Sequence, residues 1–278
     1  MANSEFDISV LILCYNASNY IEQCLNSILM QQTSKSVQIV IMDDESTDDS
    51  FEKVKEIETK YGNGPFVFES YRQPMNVGCY KNLIDGLKKC SGKYIAYLEG
   101  DDYWSSKTKI QDQWEFLNNN TQYSGIGMGC DFINESGQKI EKKWYNLNEE
   151  KVFKNKDLWG YPPFQTSSFM FRREALPPLP NYFKHTTTND KILFVLLSLS
   201  SPLFYDPTVT TNYRYHSDNL TSNYSTVSNA LIRPLHTNVL LLRYGGLKYL
   251  GVFIKSLWGF IVNLLRQTYN AIKQKLKA

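Results

Sequence analysis

The sequence predicts an α/β fold in which a mostly parallel, Rossmann-like sheet is flanked by helices. Strand and helix patterns alternate as βαβαβαβ over the first hundred residues, an order typical of parallel strands joined by right-handed crossovers. The first predicted strand, Ile8–Cys14, is a nearly continuous apolar run, as expected where helices cover both faces of a sheet. The chain has 278 residues, enough for one large domain or two small ones.

Four strands and three helices are predicted in the first hundred residues. The strands cover Ile8–Cys14, Val37–Met42, Phe66–Ser70 and Tyr94–Leu98, and the helices cover Tyr20–Met30, Ser50–Tyr61 and Tyr80–Lys89. Ser18 or Asn19 can cap the first helix, and the Gly62–Pro65 turn ends the second. Shorter elements follow: a helix over 107–120, strands near Gly125–Ile133 and Thr166–Phe171, a helix over Asp190–Ser198 and a strand pair over Phe204–Tyr215.

The charges divide the chain into an acidic body and a basic tail. The formal net charge is +2, but no Asp or Glu follows Asp218, and the tail beyond it carries eight Lys and Arg residues. The rest of the chain therefore has a net charge of about −6. This distribution indicates a tail that meets anionic lipid or a protein partner, and it argues against a body that binds nucleic acid.

Residues 221–278 are predicted to form a basic amphipathic helical tail. From Gly245 onwards the polar residues recur at spacings of three, four or seven and leave a broad apolar face that includes Trp258. The longest charge-free run, Ser256–Leu265, is too short to span a bilayer. We expect this helix to lie in the interface of an anionic membrane. Packing on the body or on a second copy is the alternative.

The cysteine pattern and the N-terminus indicate a cytoplasmic protein. The five Cys residues are odd in number and lack CxxC or zinc-type spacing, as expected of reduced thiols. The N-terminus has neither a basic region nor an apolar region of the kind found in signal peptides. Together with the tail, this predicts a peripheral location on the inner face of the cell membrane.

Polar clusters follow three of the predicted parallel strands: Tyr15-Asn16, Asp43-Asp44 and Glu99–Asp102. Ligands of open parallel sheets bind at the carboxyl ends of the strands, so we expect these clusters to converge on one crevice. The first strand is followed by CYNASNY and not by GxGxxG, which disfavours a dinucleotide site of the NAD type.

The third cluster contains three carboxylates, Glu99, Asp101 and Asp102, within four residues. Crowded like charges are costly, and a hard divalent cation that brings a phosphate with it offsets that cost. The cluster therefore predicts a Mn²⁺ or Mg²⁺ site, although an acidic surface turn is the alternative. His216 would favour Mn²⁺ as an imidazole ligand, and Arg214 on the same strand face suits a diphosphate.

Four other residues are candidates for ligand binding or catalysis. Asp44 offers only acceptors, which suits a ribose or a base imide N–H. Asn76 and Gly78 precede a helix, and Gly78 serves either a turn with positive φ or the close approach of a ligand. Asp190 begins a predicted helix, where it either stabilises the helix N-terminus or acts as a general base.

These residues lie in motifs that resemble family 2 glycosyltransferases of the GT-A fold, a group that includes bacterial polysaccharide and O-antigen transferases. The resemblance covers roughly Ile8 to Thr221. Its motifs are SVLILCYN at 9–16, IVIMDDESTDDS at 39–50, NVGCYKN at 76–82, YIAYLEGDDYW at 94–104, SSFMFRRE at 167–174, ND at 189–190 and YRYHSDNLT at 213–221.

The resemblance implies roles for the candidate residues. Asp101 would be the metal-binding carboxylate of the DxD motif, with Glu99 in place of its first Asp and His216 near the metal or the diphosphate. Asp190 would be the catalytic base, although Asn189 replaces the acidic residue that normally precedes it. The residues implied to surround the nucleotide-sugar are Tyr15, Asn16, Asp44, Asn76, Gly78, Asp102 and Arg214.

The implied function is that of an inverting, metal-dependent glycosyltransferase. Residues 1–110 would bind the nucleotide-sugar, most consistently a UDP-sugar, and 111–220 would bind the acceptor and carry out catalysis. The acceptor would be a glycan or a polyprenyl-linked sugar in cell-surface polysaccharide or lipid-linked oligosaccharide synthesis. A catalytically inactive nucleotide-sugar-binding or membrane-scaffolding protein is the alternative. A nucleotidyltransferase would need a basic Gly-rich signature near the N-terminus, which is absent. The sequence does not determine the oligomeric state.

Overall fold

The computed structural model describes residues 5–62, 64–142, 147–159, 163–179 and 189–216, together with helical positions between 242 and 265. The strands are β1 (Ile8–Cys14), β2 (Val37–Asp43), β3 (Phe66–Arg72), β4 (Tyr94–Glu99), β5 (Tyr103–Trp104), β6 (Gly125–Ile133), β7 (Lys151–Phe153), β8 (Met170–Arg172) and β9 (Leu203–Arg214). The helices are α1 (Ile21–Leu29), α2 (Ser50–Tyr61), α3 (Gly78–Lys89), α4 (Lys109–Asn119) and α5 (Asn189–Leu197). Short 3₁₀ segments cover Asn155–Trp159, Thr166–Ser168 and Arg173–Ala175.

A single nine-stranded sheet runs through the described residues in the order β3-β2-β1-β4-β8-β6-β9-β5, with β7 paired to β9. The first four strands are parallel: Ile8 of β1 is in register with Val37 of β2 and with Tyr94 of β4. Beyond β4 the sheet is mixed, because β8 is antiparallel to both β4 and β6. The carboxyl ends of β1, β2 and β4 therefore lie side by side at one edge, as predicted.

The prediction of a strand pair over Phe204–Tyr215 is wrong. A single 12-residue strand, β9, occupies this stretch and pairs in parallel with β6. Pro207 resembles a turn residue in the sequence, but it lies where the β6–β9 register shifts, and bulges tolerate proline inside a strand. Gly129 lies opposite, where an added Cβ would be 2.4 Å from the Pro207 carbonyl oxygen.

Two short strands, β5 and β7, have two and three residues and were not predicted. No alternating pattern can be recognised over so few positions. β5 pairs with β9, so the residues that directly follow the acidic cluster form the last strand of the sheet. The end of β4 and the end of β9 are thereby brought together.

The core lies on both faces of the sheet. One apolar cluster packs under α1, α2 and α4, and the other packs under α3 and α5. Along β4 the side chains alternate between these faces: Ala96 and Leu98 belong to the first cluster, and Ile95 and Tyr97 belong to the second. Because both faces are covered, these strands are apolar at nearly every position, which explains why they are readable from the sequence.

The described part of the tail presents apolar side chains to solvent. Ile254, Trp258 and Leu265 are 56%, 67% and 64% exposed. Their spacing of four and seven places them on one side of a helix. Among the described residues, no helix is both long and apolar enough to cross a membrane.

Arg172 at the end of β8 is a buried cation held by backbone carbonyls. Its Nε donates to the Tyr123 carbonyl at 2.9 Å, and its guanidinium also donates to the carbonyls of Leu117 and Asn120 at the C-terminal end of α4. A positive charge at a helix C-terminus is favoured by the helix dipole. Arg172 thus fastens α4 to the middle of the sheet.

We expect Arg172→Met to lower the free energy of unfolding by about 3 kcal/mol, because it leaves the buried carbonyls of α4 without donors. Urea denaturation followed by circular dichroism measures this loss. Arg172→Lys keeps the charge but not the planar fork of donors, so it should lose about half as much. A Met variant as stable as the unaltered protein would contradict this account.

Candidate functional site

The loops that follow β1 and β2 are joined by side chain–backbone hydrogen bonds. The Asn16 N–H donates to Ser46 Oγ at 2.9 Å, and Asn16 Oδ1 accepts from the Thr47 N–H at 2.8 Å. Asn16 and Glu45 both have positive φ, +49° and +61°. Non-glycine residues in this region are strained, and such strain is concentrated at functional sites. Tyr15 next to Asn16 is half exposed at the edge of the sheet.

Asp44 connects the end of β2 to the start of α3. Its Oδ1 accepts from the Val77 N–H at 2.8 Å, and its Oδ2 accepts from the Gly78 N–H at 2.9 Å. No side chain of the helix itself caps α3, so Asp44 does this from 33 residues upstream. Burial raises the pKa of Asp44, and the two backbone hydrogen bonds act against that rise.

The predicted residues Asn76 and Gly78 lie beside Asp44. The Asn76 N–H donates to Glu45 Oε2 at 2.6 Å, while the Asn76 residue itself is exposed. Gly78 has φ +83° and nothing within 4 Å of an added Cβ. Its glycine is therefore required by the turn and not by the close approach of another protein atom. Asp44, Asn76 and Gly78 thus form one side of the site.

The three carboxylates that follow β4 point in three directions. Glu99 accepts a hydrogen bond from the Tyr97 hydroxyl at 2.6 Å and so faces the side of the sheet that α5 covers. Asp101 turns towards His216, and Asp102 is buried. Within the described ranges, no group of three or more His, Cys, Asp or Glu side chains could hold a metal. The predicted ligand set of Glu99, Asp101 and His216 is therefore not assembled as a cluster.

Asp101 and His216 form the pair best suited to a metal. His216 Nε2 lies 3.0 Å from Asp101 Oδ2, and both side chains are partly exposed. A carboxylate with an imidazole suits Mn²⁺, and such ions often take only one or two protein ligands while substrate oxygens and water complete the shell. The residues present therefore fit a divalent cation at Asp101 and His216. Tyr20 lies against the His216 ring, with the ring centroids 5.7 Å apart.

The structure places Asp102 beneath the site, which differs from its predicted contact with the nucleotide-sugar. The residue is 1% exposed. Its Oδ2 accepts from the Ser167 hydroxyl, and its Oδ1 accepts from the Arg214 N–H at 2.8 Å. Burial and the neighbouring charge of Asp101 raise the pKa of Asp102. Asp102 therefore anchors the acidic loop.

Arg214 also lies behind the loop and not on the open side predicted to meet a diphosphate. The residue is 2% exposed. Its Nε donates to the Asp101 carbonyl at 3.0 Å, and one terminal nitrogen donates to Gln23 Oε1 at 2.7 Å. Its other terminal nitrogen donates to the carbonyls of Asn134 and Glu135. Arg214 thus holds Asp101 in place through its backbone.

Asp190 is the second residue of α5. The structure describes the helix at this position, and the Asp190 side chain lies outside what it describes. The helix is anchored by Leu193, Phe194 and Leu197, which lie in the same apolar cluster as Tyr97. The start of α5 and the Tyr97–Glu99 pair are therefore associated with the same face of the sheet.

Two residues of the site were not singled out from the sequence. Ser167 donates a hydrogen bond to Asp102 of the acidic loop, and Gln23 of α1 accepts a hydrogen bond from Arg214. Ser167 is the first residue of the SSFMFRRE motif, so its position before a strand was a usable signal. Gln23 lies on an exposed helix face and carries no such signal.

An open cleft of about 810 Å³ runs along the outer face of α1. Its lining includes Gln23, Asn26, Tyr103 and Asn212. None of the predicted ligand-binding residues lines this cleft. The chemistry of the strand ends, and not the volume of this cleft, therefore identifies the candidate site.

Comparisons with known proteins identify the family of the chain. The profile of Glycosyl transferase family 2 matches residues 9–178. The chain is 30% identical over 138 residues to the Escherichia coli UDP-Glc:alpha-D-GlcNAc-diphosphoundecaprenol beta-1,3-glucosyltransferase WfaP, covering 45% of this chain and 48% of that protein. The chain spans about half the length of the curated relatives it matches.

Solved structures show the same fold. S. aureus TarS 1–349 in complex with UDP-GlcNAc has a TM-score of 0.67 at 16% identity, covering 91% of this chain and 73% of that one. The mannosyltransferase PcManGT from Pyrobaculum calidifontis, in complex with GDP-Man and Mn²⁺, has a TM-score of 0.66 at 15% identity, covering 86% and 64%. These likenesses confirm the predicted α/β fold of the GT-A type. Since the family profile matches more than half of the sequence, the chain belongs to glycosyl transferase family 2.

Proposed function

We propose that the chain is an inverting, metal-dependent glycosyltransferase that moves a sugar from a UDP-sugar to an acceptor hydroxyl. The acceptor is a glycan or a polyprenyl-linked sugar of cell-surface polysaccharide or lipid-linked oligosaccharide synthesis. The observation that carries the proposal is the 3.0 Å contact between Asp101 and His216 at the carboxyl edge of the parallel strands. Family membership supports transfer from a nucleotide-sugar, and UDP appears in the names of WfaP and of the TarS complex.

The nucleoside end of the donor would bind where β1, β2 and the start of α3 meet. Asp44 is only 3% exposed, so a nucleoside would reach it through the remaining lone pairs of its carboxylate oxygens, each of which has two lone pairs and accepts one backbone hydrogen bond. The exposed Tyr15 ring can pack against a base, and Asn76 can donate or accept a hydrogen bond. Acceptors at Asp44 suit the imide N–H of uracil or the ribose hydroxyls.

The diphosphate would lie next to Asp101 and His216. A divalent cation held by these two residues supplies charge neutralisation for the leaving nucleoside diphosphate. Arg214 and Asp102 fix the backbone that carries Asp101, so this carboxylate is positioned before any ligand arrives. Mn²⁺ is favoured over Mg²⁺ because one of the two ligands is an imidazole.

Asp190 is proposed to remove the proton from the acceptor hydroxyl as that oxygen attacks the anomeric carbon. Attack on the face opposite the nucleoside diphosphate breaks the bond to the leaving oxygen and inverts the configuration. An α-linked donor then gives a β-linked product. A carboxylate at the start of a helix can serve as such a base when it lies within hydrogen-bonding reach of the hydroxyl.

We expect Asp101→Ala to abolish the Mn²⁺-dependent thermal stabilisation of the protein by UDP, because the metal loses its carboxylate ligand. Melting temperatures are measured with UDP, GDP and dTDP, each with and without Mn²⁺. The unaltered protein should respond most to UDP with Mn²⁺, and transfer activity should fall at least about 100-fold in the variant. Retained transfer would contradict the metal assignment. Asp131→Ala, at a partly exposed carboxylate in a surface ion pair with Lys139, serves as the matched control.

We expect Asp190→Asn to lower the rate of transfer by about 10²–10⁴-fold, the usual contribution of a general base. The affinity for UDP, measured by calorimetry, should stay within a few fold, since the base does not contact the nucleotide. Turnover at the normal rate would exclude Asp190 as the base. A variant that binds UDP normally but does not turn over also separates catalysis from the binding-only alternative.

The basic tail is proposed to lie on the inner surface of the cell membrane. The exposed stripe of Ile254, Trp258 and Leu265 supports this, because it leaves apolar area available for the bilayer interface. The surplus of Lys and Arg in the same segment suits anionic lipids. A membrane location also suits a polyprenyl-linked acceptor.

We expect deletion of residues 245–278 to abolish sedimentation with vesicles of phosphatidylglycerol and phosphatidylethanolamine. Trp258→Ser combined with Leu265→Ser should weaken vesicle binding about tenfold or more, because two large apolar side chains no longer enter the interface. Leu199→Ser, at an exposed leucine of the body, is the matched control. Unchanged sedimentation of the deletion variant would rule out the interfacial helix.

A further inference from the structure

Among the described residues, Lys109 is a fully buried cation that the proposed chemistry does not use. Lys109 at the start of α4 has no exposed surface, and its Nζ donates to Gln113 Oε1 at 2.7 Å. The same nitrogen lies 4.3 Å from the centroid of the Trp104 ring. Burial lowers the pKa of Lys109, and no carboxylate in the described part of the chain opposes that effect. A buried amine of this kind costs stability that an apolar side chain of similar size would not.

The contacts of Lys109 lead to the 3₁₀ turn Thr166–Ser168. Gln113 accepts from Lys109 through its oxygen, and its nitrogen donates to the Ser168 carbonyl at 2.8 Å and to the Ile126 carbonyl at 3.2 Å. Lys109 therefore sets the orientation of the Gln113 amide. The Trp104 ring under Lys109 donates its Nε1–H to the Ser167 carbonyl at 2.8 Å. Two separate contacts of one lysine thus converge on adjacent carbonyls of this turn.

The same turn holds the acidic loop at both ends. Ser167 Oγ accepts from the Glu99 N–H at 3.2 Å and donates to the carboxylate of Asp102. Asp101 lies between these two attachment points. The contacts of Lys109, through Gln113 to the Ser168 carbonyl and through the Trp104 ring to the Ser167 carbonyl, therefore lead to the turn that holds the residues on either side of the candidate metal ligand.

We propose that Lys109 and Gln113 are positioning residues that hold the Glu99–Asp102 loop, through Ser167 and Ser168, in the geometry that binds the metal. The inference rests on the proposed function, in which Asp101 is the metal ligand. Outer partners of metal ligands commonly set metal affinity, because they fix the ligand before binding and so reduce the cost of ordering it. This role explains why positions 109 and 113 are polar, since packing alone could be satisfied by apolar side chains.

The test is the Mn²⁺ dependence of UDP binding, measured by calorimetry on Lys109→Met. This variant keeps a side chain of similar length against Trp104 and removes the donor to Gln113. We expect the Mn²⁺ concentration for half-maximal UDP binding to rise about tenfold, with metal-free UDP affinity changed by no more than about twofold. A role in stability alone would lower the melting temperature and leave this Mn²⁺ requirement unchanged.

Four further variants complete the design. Lys109→Met combined with Gln113→Leu should require no more Mn²⁺ than the single variant, since the two residues act as one unit. Ser167→Ala, which contacts the loop directly, should shift the Mn²⁺ requirement in the same direction. Ile110→Val changes a buried neighbour on α4 outside this series and should leave the requirement unchanged. If Lys109→Met does not fold, as judged by circular dichroism, Ser167→Ala and Gln113→Leu carry the test.

The outcomes separate this inference from the function on which it rests. Folded Lys109→Met and Ser167→Ala proteins with the normal Mn²⁺ requirement would overturn the positioning role and leave the glycosyltransferase proposal intact. An unaltered protein that binds no UDP at any Mn²⁺ concentration would overturn the proposed function, and this inference with it.

Discussion

The rest of the site depends on the hydrogen bonds that the buried carboxylate of Asp102 accepts. A carboxylate removed from water must receive hydrogen bonds, and here the two donors come from different parts of the sheet. Ser167 precedes β8, and Arg214 ends β9. Asp102 therefore links the end of the parallel strand β4 to the segment before β8 and to the end of β9.

The sequence was most informative where burial is complete. β1 and α2 were predicted with the bounds that the structure has, because side chains of β1 enter both apolar clusters and a Gly-Pro turn follows α2. The ends of the other long elements were predicted to within about two residues. The short strands β5 and β7 could not be predicted, since pairing with β9 and not their own pattern makes them strands.

The residues that make up the site were easier to predict than the directions in which their side chains point. The cluster of carboxylates after β4 was evident, but their separation was not. Side chains alternate only while a strand continues, and β4 ends at Glu99. The Asp102 N–H then donates to the Glu99 carbonyl at 3.1 Å, which closes a turn and sends Asp101 towards His216. Hydrogen-bond partners from distant segments, such as Ser167 and Gln23, decide these directions and leave no local pattern.

Because Asp44 caps α3, a ligand that binds to Asp44 would also affect the stability of this helix. The same carboxylate that would receive the nucleoside also holds the first two N–H groups of this helix start. Coupling between two such equilibria is reciprocal. A nucleoside that strengthens the hydrogen bonds of Asp44 would stabilise the start of α3 against fraying by the same free energy by which an intact first turn strengthens nucleoside binding.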